Sequence, residues 1–63
     1  MNNQSRIEAL SRAYVISGSQ HFMEPSMLQT AMIQSAKLEQ QLSENEILQA
    51  SDLADMEEAR LAE

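Results

Sequence analysis

His21 and Glu24 are the first pair of residues in this 63-residue chain that could do chemistry. Their three-residue spacing can pair the two side chains on a helix. Zinc needs three or four protein ligands, however, and the chain has no second His and no Cys. General acid–base catalysis also needs a partner group and a pocket, and neither is visible in the sequence. We therefore interpret His21 as an exposed loop residue whose charge changes near neutral pH.

Acidic residues near the carboxyl terminus form a second group, because Asp52, Asp55 and Glu58 recur every three residues. Such a run can gather a divalent cation, but a calcium site needs six to eight oxygens, usually from a loop that contains Gly. The run is more typical of a solvated helix face. A chain of this length also lacks room for an ordinary ligand cleft of about 300–1,000 Å³. We predict no metal, no cofactor and no enzymatic activity.

The composition predicts an all-α fold. Leu, Ala, Gln, Glu and Met dominate, and these residues have high helix propensities. With one Gly and one Pro, the chain has few points at which it can reverse. We predict a single small helical domain over residues 1–63, either a helical hairpin or a three-helix arrangement. The predicted helices run from about 6 to 17, from 27 to 42 and from 44 to 61.

Capping signals place the ends of the first helix. Ser5, followed by Glu8, has the spacing of a capping box, in which each side chain accepts a hydrogen bond from the other residue's backbone N–H. Gly18 is expected to stop the helix in a left-handed conformation. With Pro25 it delimits a loop over about residues 18–25.

The start of the second helix is open to two interpretations. Ser26 and Gln29 have the spacing of another capping box. Alternatively, Pro25 is the first helical residue, which leaves Glu24 as a poor N-cap.

A third capping box separates the second and third helices. Ser43 and Glu46 have the required spacing, and Leu42 and Ile47 flank them as a hydrophobic staple does. Since no Gly or Pro lies here, the alternative is one continuous helix from 27 to 61.

Apolar residues recur at three- and four-residue steps along the first two helices, as on a buried face. In the first helix they are Ile7, Leu10 and Tyr14. In the second helix, the predicted stripe consists of Leu28, Ala31, Met32, Ser35, Leu38 and Leu42. Met27 and Met32 are interpreted as core filler, whereas Met23 and Met56 are open to a role in recognition.

The third helix has apolar residues on more than one face. Its core line is formed by Ile47, Ala50, Ala54 and Leu61. Leu48, Leu53 and Met56 point elsewhere, and a domain this small cannot easily wrap a helix on several sides. We therefore predict that a partner or a second copy covers them. The predicted interaction surface consists of these three apolar anchors and the neighbouring acids Asp52, Asp55, Glu57 and Glu58.

Charge is unevenly distributed along the chain. The net charge is −6, of which residues 1–37 carry +1 and residues 38–63 carry −7. The four basic residues are scattered, whereas binding of phosphates needs clustered Lys and Arg, so direct binding of nucleic acid is excluded. The acidity also opposes an anionic membrane surface. Because Glu57, Glu58 and Glu63 oppose the dipole at the end of the third helix, we expect this acidic terminus to fray.

Targeting signals are not expected in this sequence. No apolar segment follows Met1-Asn2-Asn3-Gln4-Ser5-Arg6 as it would in a signal peptide, and the longest apolar run is only Ala13 to Ile16. A bilayer span needs about 20 apolar residues, so we expect a location in the cytoplasm.

The whole chain, from Met1-Asn2-Asn3-Gln4-Ser5-Arg6 to Ala59-Arg60-Leu61-Ala62-Glu63, resembles the very small helical early proteins encoded between the exonuclease and excisionase genes of lambdoid bacteriophages. The resemblance implies a hairpin-like helical fold and a role in lytic development and in redirecting the host. It brings no catalytic or binding residues with it.

The expected function is that of a non-enzymatic phage regulatory protein, which binds a host or phage protein in the bacterial cytoplasm. Two alternatives stay open: a homodimeric interaction module, and an acidic mimic of DNA charge that occupies a basic nucleic-acid-binding protein.

Overall fold

Three α-helices form the protein in a computed structural model, which describes residues 3–18 and 24–61. Helix α1 spans Asn3–Gly18, α2 spans Pro25–Gln41 and α3 spans Glu44–Leu61. No strand occurs in these two ranges. The predicted all-α class is confirmed, and of the two predicted arrangements the chain adopts the three-helix one.

Helix α1 begins earlier than its sequence indicates. It starts at Asn3, so Ser5 lies inside the helix and the predicted capping box with Glu8 is wrong. The first turn is instead held by side chains: Nδ2 of Asn3 donates to Oε2 of Glu46 in α3 at 2.7 Å. The Arg6 guanidinium donates to Oδ1 of Asn3 at 2.9 Å. This contact joins the first described turn of α1 to the first turn of α3 across 43 residues.

Gly18 is the last residue of α1, but it is not left-handed, since no described glycine has a positive φ. The predicted left-handed stop is therefore wrong. A Cβ at this position would lie only 2.7 Å from Oε1 of Glu58 in α3. Glycine thus allows Glu58 to approach closely. Of the predicted loop over 18–25, Gly18 and Pro25 are helical, and residues 19–23, including His21 and Met23, lie outside the described ranges.

Helix α2 begins with Pro25 in its first turn, so the second interpretation of this boundary is correct. Glu24 is the N-cap, with φ −67° and ψ 147°, and makes no side-chain capping hydrogen bond. Its carbonyl accepts from the backbone N–H groups of Met27 at 3.0 Å and Leu28 at 3.1 Å. Ser26 lies within the helix, and the predicted box at this residue is wrong.

The corner between α2 and α3 contains the capping box predicted at Ser43. The Ser43 N–H donates to Oε1 of Glu46 at 2.9 Å, and the Glu46 N–H donates to Oγ of Ser43 at 3.3 Å. Leu42 is extended, with φ −116° and ψ 153°, and joins the same apolar cluster as Ile47. The box and its flanking apolar residues end α2 and start α3, and the alternative of one continuous helix is wrong.

Helix α1 lies between the other two and holds the fold together. It packs against both α2 and α3, whereas α2 and α3 have little contact with each other. The start of α1 meets the start of α3 through Asn3 and Glu46, and its end meets Glu58, so these two helices run in parallel.

Helix α2 runs antiparallel to α1, because Ile16 near the end of α1 lies beside Met27 near the start of α2, whereas Ile7 near the start of α1 clusters with Leu42 after the end of α2. The Tyr14 hydroxyl also donates a hydrogen bond to Glu39 of α2.

The core is small and lies where the three helices converge. Leu10 is fully buried, and Ile7, Leu42 and Ala50 form the buried cluster around it. The half-buried side chains packed against this cluster are Tyr14, Leu38 and Ile47. The predicted stripe of α1 thus faces the core.

Two methionines of α2 are exposed rather than buried. Met27 is 47% exposed and Met32 is 63% exposed, so their interpretation as core filler is wrong. Because α2 packs mainly on α1, its buried stripe is narrow: Ala31 is buried and Leu38 is half-buried, with Leu42 buried just after the helix ends. Met32 lies beyond the edge of this stripe.

Candidate protein-interaction surface

The outward side of α3 carries two large apolar side chains among carboxylates. Leu48, Asp52 and Met56 are four residues apart, which places them along one line of the helix, with Asp55 beside it. Leu48 is 61% exposed and Met56 is 68% exposed. We call these four residues the acidic face. It points away from the core, because the buried residues of α3 lie on its other side.

Ala50 and Ala54 define that buried side, with exposures of 0% and 3%. Such small side chains let α1 pack close to α3, and they leave the larger apolar residues of this helix outside the interface. The predicted core line of α3 is confirmed at Ile47, Ala50 and Ala54. It is wrong at Leu61, which is 68% exposed because α1 ends beside Glu58 and does not reach the last turn of α3.

Leu53, the third predicted anchor, lies apart from the acidic face. It is 37% exposed and lines a groove between α1 and α3 of about 410 Å³. This volume is within the range of ordinary ligand clefts, so the expectation that the chain lacks room for one is wrong. The α1 side of this groove is formed by Ser11, Arg12, Val15 and Ile16. We call it the α1–α3 groove. Periodicity within either helix could not predict this groove, because it exists only where two helices distant in the chain pack together.

The remaining predicted acids are also placed apart from the acidic face. Glu57 lines the α1–α3 groove and forms an ion pair with Arg60 at 3.5 Å. Both side chains are largely exposed, so the pair adds little stability. Glu58 lies against the end of α1 beside Gly18.

Two ionisable groups in the fold have shifted pKa values. The pKa of Tyr14 is raised to about 12 by burial and by the hydrogen bond and charge of Glu39. The pKa of Glu46 is lowered, chiefly by the backbone N–H of Ser43 and then by the amide of Asn3. Both groups join helices to each other or cap them, and neither belongs to the acidic face.

Within residues 3–18 and 24–61, no group of three or more His, Cys, Asp or Glu side chains is arranged to hold a metal ion. Among the same residues, none of the helices has the length and apolar character needed to cross a bilayer. His21, the residue with a possible proton-dependent role, lies outside them.

The acidic face is therefore an exposed surface of a single helix, on a small domain of three helices. Comparison with known proteins finds no matching family model, no matching curated protein and no matching solved structure.

Proposed function

We propose that this chain is a non-enzymatic interaction protein whose acidic face binds a basic protein. The main support for this proposal is that Leu48 and Met56, two large apolar side chains, are mostly exposed on one line of α3 with carboxylates around them. Interfaces typically gain most of their affinity from a few apolar or aromatic anchors near the centre.

Asp52 and Asp55 give this surface its charge preference. Both are exposed, and neither forms an ion pair in the part of the chain that the structure describes. Carboxylates at the rim speed association with a positively charged partner and disfavour an acidic one. The surface therefore suits a basic patch with an apolar centre.

The resemblance to early proteins of lambdoid phages supplies the biological setting of the proposal. The chain would act in the cytoplasm of the infected bacterium, bind a host or phage protein and promote lytic development. Small size and an exposed binding face are compatible with such a regulatory role.

The test compares two double variants of the full chain as bait for proteins from phage-infected cells. L48S/M56S removes the apolar anchors of the acidic face. The control M32S/I33S removes two side chains of α2 that are 63% and 50% exposed. Circular dichroism checks that both variants stay helical.

The proposal expects a basic protein that the wild type and the M32S/I33S control retain and that L48S/M56S loses. Its retention should fall as salt is raised, because the carboxylates contribute through charge. A partner retained equally by all three chains would refute the role of the acidic face. In infected cells, L48S/M56S should lose any effect on lytic development that the control keeps.

A further inference from the structure

The α1–α3 groove combines apolar walls with a positive charge. Val15, Ile16 and Leu53 are its apolar residues, and Arg12 is its basic one. Arg12 is exposed, and no carboxylate lies within 4.0 Å of it among the described residues. The groove's acidic residue, Glu57, is engaged by Arg60 at 3.5 Å. The groove thus offers a cation beside apolar surface.

The acidic face of the same chain has the complementary properties. Leu48 and Met56 are apolar side chains of a size to enter a shallow groove, and Asp52 and Asp55 are free to face a cation. Each molecule therefore displays both halves of one possible contact.

The two surfaces are neighbours around α3. Leu53 and Met56 are three residues apart, which separates their directions by about 60° around the helix axis. A two-fold axis near this edge lets each of two copies present its acidic face to the groove of the other. Such a closed pairing forms the same contact twice.

We propose that a second copy of this chain occupies the α1–α3 groove, with Leu48 and Met56 of one protomer against Leu53 of the other and with Asp52 and Asp55 facing Arg12. The net charge of −6 on each chain opposes this pairing at long range. At physiological salt that repulsion is screened beyond about 8 Å, whereas apolar contact and close ion pairs persist.

The inference does not require the proposed function, but the two are linked through one surface. In the dimer the acidic face is covered, so binding of a basic partner and self-association exclude each other. The dimer would hold the chain in a masked form until a partner displaces the second copy.

A charge exchange tests the pairing by molar mass in sedimentation equilibrium, over a rising series of protein concentrations at physiological salt. The wild type should rise from 7.1 kDa towards twice that mass. R12E places a carboxylate opposite Asp52 and Asp55 of the other protomer, so this variant should stay monomeric. D52R/D55R places two arginines opposite Arg12 and should stay monomeric as well. When these two variants are mixed, both contacts again pair opposite charges, and the dimer should return.

The control K37E makes the same change in net charge at an exposed residue of α2 and should dimerise as the wild type does. A wild type that stays at 7.1 kDa throughout, equal effects of R12E and K37E, or a mixture that stays monomeric would each overturn the pairing. A strictly monomeric chain whose partner capture still depends on Leu48 and Met56 would overturn the dimer and leave the proposed function intact.

Discussion

Replacing Leu10 with Ala should remove a large part of the protein's stability. Leu10 is fully buried at the centre of the core cluster, so the substitution forfeits the burial of three carbon groups. At about 0.8 kcal/mol per group, this loss is about 2.4 kcal/mol before any cost of the cavity. Buried Leu-to-Ala changes span about 2–5 kcal/mol in total.

The total stability against which this loss counts is small. At about 0.05–0.15 kcal/mol per residue, a chain of this length is stable by about 3–9 kcal/mol. L10A should therefore lower Tm by at least about 10 °C. If the total stability is near the lower bound of about 3 kcal/mol, L10A should leave the chain partly unfolded at room temperature. Urea denaturation followed by circular dichroism at the helical band measures the change in the free energy of unfolding.

The matched control is L48A, because Leu48 is also a helical leucine but is 61% exposed. The same three carbon groups are removed there with less than half of their burial lost, so the cost should stay below about 1 kcal/mol. If L48A destabilises the chain as much as L10A does at a concentration where sedimentation shows only monomer, Leu48 is not on the outside of the fold, and both the packing and the acidic face described above are wrong.

Two further predictions concern the groups that join the helices. S43A removes one acceptor of the capping box with Glu46 and should cost about 1 kcal/mol in urea denaturation, whereas S26A, at a serine inside α2, should change stability by less than half of that. Tyr14 should titrate near pH 12 in the native protein and near its ordinary value of 10.0 in urea, which the absorbance of tyrosinate reports directly because the chain has one Tyr. Because folding raises the pKa of Tyr14, the stability linked to its protonated form is fully present below pH 10 and is lost as the pH rises towards 12. A native titration near pH 10 would show that Tyr14 is not held by Glu39.

The sequence was most reliable where the controlling interactions are local. The start of α3 is predicted correctly at about 44, because the box formed by Ser43 and Glu46 spans only three residues. The sequence predicts the start of α1 at about residue 6, whereas the helix already includes Asn3, whose side chain binds Glu46 from 43 residues away. No periodicity argument within one helix can include such a contact.

The same distinction applies to the interaction surface. Leu48 and Met56 stand out from the sequence because they lie off the core line of their own helix. The α1–α3 groove forms because Arg12 and Ile16 of α1 lie near Leu53 of α3. This proximity depends on how the two helices pack, and the sequence pattern of either helix alone does not predict it. The exposure of Met32 was missed for a related reason, because the width of a buried stripe depends on how many helices pack against it.

Helix α1 makes most of the contacts between helices in this fold. Since α2 and α3 have little contact with each other, neither can complete a core with the other when α1 is detached. Opening of α1 should therefore release all three helices, whereas opening of α2 alone leaves α1 packed on α3. In native-state hydrogen exchange, the slowest amides of α1 should therefore exchange with the free energy of global unfolding. The persistence of the whole fold thus depends on its amino-terminal helix.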